Sequence, residues 1–534
     1  MRKLLRNRIN LIVFLLQVPV CLCAQVDFTS SNLPIIVINT GSLEIEDEDR
    51  IVADMGIINK EAGLINHISD PFNDYAGKIN IELRGATSQE FPKQSYGLET
   101  QDESGDARNV SLLDLPEEND WVLYAPYSDK SLIRNILAYR LSRELGHYAP
   151  RTKLCELVLN GDYRGVYVLL EKIKRDKNRV DISRLTPEEI QGDDLSGGYI
   201  IKIDKNEGNS GPLWCSESGL IYFQYEYPDY DEIVPEQKDY IKNYIDAFEE
   251  SLISPNFSDP ILGYRTHMDD GSFIDFFIVN EVSKNIDGYM LSTFFHKDKE
   301  SNGGKLTMGP VWDYNLAFGN ADYREGFRTD GFQVNINSSP WWWGRLMQDT
   351  TFMNDIKKRW YSIRNDQFSN DAIFAIIDSL SLLLEEAQER NFKRWDILGS
   401  DIWPNYYVGE SYEDEITFLK NWTSQRLLWL DENMLDWTDI AYVPSGVETK
   451  AYPNPFRTYF SYDFALDKPG KVSLILYDMN GRKVSTIVEN IYFPAGTHTL
   501  DWEAGEIPAS IFTLVLSIDG KRYSIQKLVK LWRE

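Results

Sequence analysis

One stretch, NEVSKNIDGYMLSTFFHKDKESNGGKLTMGPVWDYNLAFGN at 280–320, constrains this chain more than any other. Residues 290–296 are β-branched and aromatic, as strands prefer. Residues 297–304 are charged and end in Gly-Gly, a turn signal. Residues 305–312 return as a second strand. A hairpin folded about Ser301 pairs positions whose numbers sum to about 602. Asp287 then just precedes the first strand and Asp313 just follows the second, side by side at the open end. Two carboxylates at one point suit a hard cation such as Mg²⁺ holding phosphates. The same two acids would also serve as plain turn or cap residues, where Asp is common.

The chain has 534 residues, so two or three domains are expected. Its formal charge is −28. Such a surface repels nucleic acid and anionic membrane, which excludes both as partners. It also repels nucleotides at long range, so a nucleotide site needs its own local cations. Residues 1–24 carry Arg2, Lys3, Arg6 and Arg8, then an apolar run, then Ala24, in the pattern of a secretory signal. No later run is long enough to span a bilayer, so a free exported protein without a transmembrane segment is expected. Two of the four cysteines leave with that signal. Cys155 and Cys215 remain, either as one disulfide in an oxidising compartment or as two buried thiols. The five histidines lack zinc spacing, and no serine sits in a nucleophile elbow.

In chain order, buried-type strands are expected at 33–39 and 50–59. A hairpin at 79–100 carries Arg84, Gly85, Thr87, Ser88 and Lys93 at its tip, where hydroxyls, backbone amides and two cations would cradle a phosphate. An ordinary polar loop would look the same. A strand at 121–126 leads to a helix capped by Ser128 or Asp129 and ended by Gly146. Asn160-Gly161 turns a second hairpin, 155–170, with Glu171 and Lys172 at its exit. Another strand ends at Asp204. Helices are expected at 232–252, 273–285 and 417–435, with an amphipathic pair between 352 and 395. Trp341, Trp342 and Trp343 would stack a sugar or a base, or pack a core. After a linker-like Val-Pro-Ser-Gly at 443–446, short alternating strands from 451 to 530 read as a small β-sandwich.

RGATSQEFPKQSY, DKSLIRNILAY, CELVLNGDYRGVYVLLEKIK, SGGYIIKID and GPVWDYNLAFGN stand in that order. Together they resemble the spore-coat-protein-H (CotH) kinase family, from about residue 33 to about 430. At the C-terminus, AYPNPF, VSLILYDMNGRKV, AGTHTLDW and KLVK resemble the type A sorting domain of the type IX secretion system of Bacteroidota. Ser510 departs there from the glycine usual before an aromatic strand. The resemblances imply a signal peptide (1–24), a CotH kinase-like domain with an N-terminal β extension (25–436), a linker (437–450) and a sorting domain (451–534). The implied fold class is α+β: an atypical protein-kinase-like fold, β-rich at its N-terminal part, followed by an Ig-like all-β sandwich.

The family resemblance further implies phosphoryl transfer from ATP, with Mg²⁺ or Mn²⁺, to Ser or Thr of envelope or extracellular proteins. Asp287 matches the catalytic acid. Asp313 matches the metal-binding acid, with Asn315 and Ser292 where the family and kinases place further ligands. Each of those two replaces a stronger ligand with a weaker oxygen. Arg84 and Lys93 match the family's RG…PK positions and Glu171 and Lys172 its EK pair; with Ser88 of the same hairpin tip they are the expected nucleotide-binding residues. The type IX machinery is the implied export partner. ATP is scarce outside the cell, so a catalytically inactive surface-binding module is an alternative, and a carbohydrate-active protein using the Trp cluster is a third.

Overall fold

The structure is a computed structural model and describes residues 26–434 and 449–531, apart from 48, 206–210, 219–220, 337–339, 467–468, 479–482, 495, 506, 509 and 520. The expected signal segment, most of the 437–450 linker and the Asn480-Gly481 turn lie outside the described residues. The architecture is mixed α and β.

The N-terminal strands are β1 (Ser30–Ser31), β2 (Ile35–Asn39), β3 (Ile51–Ile58), β4 (Asn66–His67), β5 (Tyr75–Arg84), β6 (Ser95–Gln101), β7 (Asp120–Tyr124), β8 (Thr152–Leu159) and β9 (Asp162–Glu171). β1 and β4 form a short ribbon; the others close a barrel in the order β2-β3-β5-β6-β7-β9-β8. Closure is a parallel pairing of β2 with β8, Ile35 facing Glu156 and Ile38 facing Leu159. Every second side chain points inward: Ile36 and Ile38, Ile79 and Ile81, Tyr96 and Leu98, Trp121 and Leu123, Tyr167 and Leu169 share one core. This is the two-residue period of a strand. β8 and β9 are buried on both faces, because Leu154, Val166, Val168 and Leu170 join the helical core outside. Their near-continuous apolar sequence follows from that.

Of the two alternatives for the cysteines, the disulfide is not formed: Cys155 and Cys215 are both free thiols. Cys155 sits in the barrel core, where burial pushes its thiol up to about 12. Cys215 lies on a different sheet. Alkylation of unfolded protein without reductant is therefore expected to label both thiols, and mass spectrometry of the two peptides checks it.

Helix α1 (Arg134–Glu144) starts later than the sequence suggests. Asp129 still organises its entry, accepting the Arg134 amide at 2.9 Å and the buried guanidinium at 2.6 Å. After α2 (Gly192–Leu195), a second sheet is built from β10 (Tyr199–Ile203), β11 (Trp214–Cys215), β12 (Tyr222–Tyr227), β13 (Thr293–Lys297) and β14 (Thr307–Met308), in the order β11-β12-β10-β13-β14. The expected hairpin is thus present: Phe295 faces Met308 and His296 faces Thr307, a sum of 603. Its strands are shorter than expected. Residues before Thr293 turn through positive φ at Tyr289 (74°) and Ser292 (48°), and Pro310, without an N–H, ends the return strand.

The helices are α3 (Pro235–Ile253), α4 (Asp270–Ser283), α5 (Trp342–Leu346), α6 (Thr350–Arg364), α7 (Asn370–Leu383), α8 (Glu385–Arg394) and α9 (Tyr412–Asn433). Three helices, not two, occupy 350–394, because Ser369 caps a fresh start by accepting the Ala372 amide. Trp342 and Trp343 are buried: Trp342 donates to Glu249 at 2.9 Å and packs on Phe223 and Phe248. The cluster is core, and the carbohydrate-active alternative loses the feature that carried it.

The C-terminal strands are β15 (Lys450–Tyr452), β16 (Tyr459–Leu466), β17 (Gly470–Tyr477), β18 (Lys483–Phe493), β19 (Gly496–Glu503), β20 (Ser510–Ile518) and β21 (Lys521–Lys530). They form a three-stranded and a four-stranded sheet that share one core. Phe460, Tyr462 and Phe464 from one sheet meet Val472, Leu474, Leu476, Leu514 and Leu516 from the other.

Candidate active site

α4 ends at Lys284, whose backbone turns left-handed (φ 47°). The chain then folds back across the helix it has just left. Gly288 lies so close to Asn280 that an added Cβ would meet the Asn280 amide oxygen at 2.3 Å. The Tyr289 hydroxyl donates to Glu281 at 2.9 Å. The loop presenting Asp287 is therefore fixed by the last turn of α4.

The Asp313 loop is held from two sides. The Asp313 amide donates to the Tyr139 hydroxyl at 3.2 Å, and the Tyr314 amide donates to Asn135 Oδ1 at 2.6 Å. Both partners stand on α1, which explains what the DKSLIRNILAY motif does. Asn285 joins the two loops, accepting the Asp287 amide (3.3 Å) and donating to the Asp313 carbonyl (3.4 Å). Among the described residues, half of the fourteen non-glycine residues with positive φ lie between Lys284 and Glu325, Asp313 (62°) among them. Backbone held in such conformations concentrates at functional sites.

Asp287 acts on the Asp313 carboxyl. A third acid, Asp204, joins them. The register of β10 on β13 sets Ile203 opposite Thr293, so Asp204 emerges beside the Asp287 loop. Burial, then Asp287 and Asp204, push the Asp313 carboxyl up to about 7, against Lys205 and Arg84. Asp313 also has an open face, so water reaching it tempers that displacement; its upward direction follows from burial first and the two neighbouring acids second. Burial raises Asp287 too, opposed by Arg324 and Lys205. Arg324 pairs with Asp287 at 3.3 Å.

Across the cleft stands the tip of the β5–β6 hairpin. Gly85 has φ 110° and packs against Ser88, where a Cβ would meet the Ser88 hydroxyl at 2.0 Å, so only glycine fits. Arg84 lies over the Trp312 ring at 5.7 Å, beside Asp313. The Lys205 ammonium reaches across to the Thr87 hydroxyl at 3.3 Å. Among the described residues neither Arg84 nor Lys205 forms an ion pair. In so acidic a chain, two cations outside any ion pair beside Asp313 stand out.

Lys93 does not join them. It is 2% exposed and donates to the Val166 carbonyl (2.6 Å) and Asn391 (2.8 Å) in the barrel wall. Burial pushes its amine down to about 7. Glu171 is also structural: fully buried, it accepts the Arg151 amide at 2.9 Å and guanidinium at 2.8 Å. Lys172 differs from both. Burial alone would raise Glu226 on β12, but Lys202, Lys172 and Arg84 together hold it below its ordinary range, so Lys172 and Arg84 act on the same acid. Asn315 and Ser292 are partly buried, and among the described residues neither side chain is hydrogen-bonded. Sequence reasoning missed Asp204, although it closes the SGGYIIKID segment, Lys205, which follows it, and Arg324, which nothing in its neighbourhood announces.

The fold is mixed α and β, and Asp287, Asp204, Lys205 and Arg84 all act on Asp313. A family model described as CotH kinase protein matches residues 81–430, and the chain belongs to that family. No curated protein matches it. Among the described residues no helix is long and apolar enough to cross a membrane.

Proposed function

We propose that the protein is an atypical protein kinase, moving a phosphoryl group from ATP to Ser or Thr of proteins on or outside the cell surface. The observation that carries this reading is that Asn285 joins the Asp287 and Asp313 loops, with Arg84 over the neighbouring Trp312 ring and Lys205 on Thr87, both outside any ion pair among the described residues. Carboxylates that repel one another need a cation, and an all-oxygen donor set fits Mg²⁺ or Mn²⁺. Among the described residues no three His, Cys, Asp or Glu side chains gather tightly enough to hold an ion alone. That agrees with an ion carried by one or two carboxylates plus the phosphates of a nucleotide. When bound, the ion would offset charge on those phosphates.

The chain's own residues do the rest. Asp313 would hold the metal side, with Asn315 and Ser292 close by in sequence to the two acid loops. Arg84 and Lys205, supported by Lys172 and the Ser88 turn, would neutralise the phosphates locally. Asp287 would orient the acceptor hydroxyl and take its proton, and Arg324 would hold Asp287 in place. Export belongs to the same proposal: residues 1–24 as a Sec signal, and the two-sheet C-terminal region as a type IX sorting domain that leads the protein to the surface.

The test is incubation of the chain with γ-labelled ATP, Mg²⁺ or Mn²⁺ and an envelope extract. Labelled protein bands are expected with wild type and not with Asp287→Ala. Unlabelled extract, with no ATP-dependent rise in melting temperature, would leave the inactive binding module as the function. Arg84→Gln and Lys205→Gln are each expected to weaken ATP affinity by about tenfold, since each removes one charge-assisted contact. Isothermal titration checks this without any turnover.

A further inference from the structure

Beyond Asp313 the chain runs along a second segment of the protein and is stitched to it. Ala321 bridges Asn405, the Asp322 amide donates to the Pro404 carbonyl (2.9 Å), and the Tyr406 amide donates to the Asn320 carbonyl (2.8 Å). The outer side of this seam is aromatic. Tyr323 stacks on Trp403 with ring centres 6.0 Å apart, and Phe327 on Tyr406 at 4.3 Å. Trp403 is 56% exposed and Tyr406 50%. Past Phe327 a cavity of about 370 Å³ opens between Tyr406, Phe418 and Trp422, with Asn421 and Gln425 on its wall. Arg328 and Asp330 at the rim pair with each other at 2.6 Å, so the mouth is close to neutral. At the seam's other end Arg324 touches Asp287.

We propose that this ledge docks the acceptor as an extended polypeptide, with its Ser or Thr at Asp287 and an aromatic side chain, three to five residues away, in the cavity. The inference rests on the kinase reading above and names what that site selects. Arg324 and Phe327 are three residues apart, so their backbones are separated by at most about 10 Å. An extended peptide advances about 3.3 Å per residue, which sets the spacing. The occupant is uncharged because the rim pair cancels and a buried lone charge would be costly. The exposed Tyr406 ring, with Phe418 and Trp422 behind it, suits another ring. Among the described residues the Asn421 and Gln425 amides have no hydrogen-bond partner, and they offer donors and acceptors to a peptide backbone. A single sugar ring on Trp403 would not reach both the acid and the cavity; an extended chain does.

The experiment is a positional-scanning library of peptides, each with one Ser, presented to the full chain with γ-labelled ATP and Mg²⁺. Tyr, Phe or Trp at one position three to five residues from the Ser is expected to raise incorporation over Ala by about fivefold or more, from stacking contacts of this kind. Tyr406→Ala and Trp403→Ala are expected to bring that ratio close to one. A flat profile with measurable incorporation, or a preference surviving both variants, overturns the proposal. If wild type transfers no phosphate, the kinase reading fails and the ledge is still tested by fluorescence titration with the same peptides, Trp403→Phe marking the Trp403 signal. Saturable binding of aromatic-bearing peptides, lost in Tyr406→Ala, supports docking. Absence of saturation, or a response to oligosaccharides in place of peptides, overturns it.

Discussion

Asp313→Asn is expected to leave the fold intact and to lower phosphoryl transfer by at least about a hundredfold, the size of effect seen when one preorganised charged group is removed from a reaction centre. It should also alter stability in a pH-dependent way. The folded pKa lies above the ordinary aspartate value, so between about pH 4 and 7 the folded protein binds more protons at this position than the unfolded chain. Stability from Asp313 is therefore fully present below the unfolded pKa and is lost as pH rises through about 7. Melting curves should show Asn at 313 gaining on wild type from pH 5 to pH 8. Added Mg²⁺ should narrow that gap at pH 8 by stabilising wild type alone. A constant difference across this range, with or without Mg²⁺, would sink the three-acid account of the cleft.

Arg426→Ala carries the largest expected loss of stability. Arg426 and Glu281 are both fully buried and pair at 3.0 Å. The guanidinium also donates to the carbonyls of Glu281, Thr329 and Gly331, while Glu281 accepts the Gln333 and Val334 amides and the Tyr289 hydroxyl. One pair thus ties α4, α9, the Asp287 loop and the 329–334 segment together. Removing Arg426 leaves a buried carboxylate uncompensated, which costs about 3–5 kcal/mol. A fall in melting temperature on the order of 10 °C is expected. The Glu281→Met, Arg426→Met double variant should recover a good part of it, because neither charge is then stranded. Calorimetry of the three proteins checks this.

The parts of the molecule that local rules govern were readable in advance. Apolar runs and turn signals located the barrel strands, and Gly303-Gly304 located the hairpin within one position of its observed register. What escaped was set by contacts between distant segments. Nothing near Lys93 says that its amine turns inward to Asn391, 298 residues on. Nothing near Arg324 says that it returns to Asp287. The Asp313 loop takes its shape from Tyr139 and Asn135, and the only local sign was a helix motif whose purpose lay elsewhere. The Trp cluster misleads in the other direction: three adjacent indoles suggest a ligand platform, while two of them are fully enclosed.

The barrel's seam has a practical consequence for where this protein is cut. The family match begins at residue 81, inside β5, yet β2 and β3 lie earlier and complete the ring. A fragment trimmed to the family boundary would lack the strands that cover one side of β5 and of β8, leaving two apolar rims with free amides and carbonyls. Such rims pair with whatever strand they meet. The smallest soluble unit carrying the cleft should therefore start before Ile35, and truncations beyond it should be recovered as aggregates.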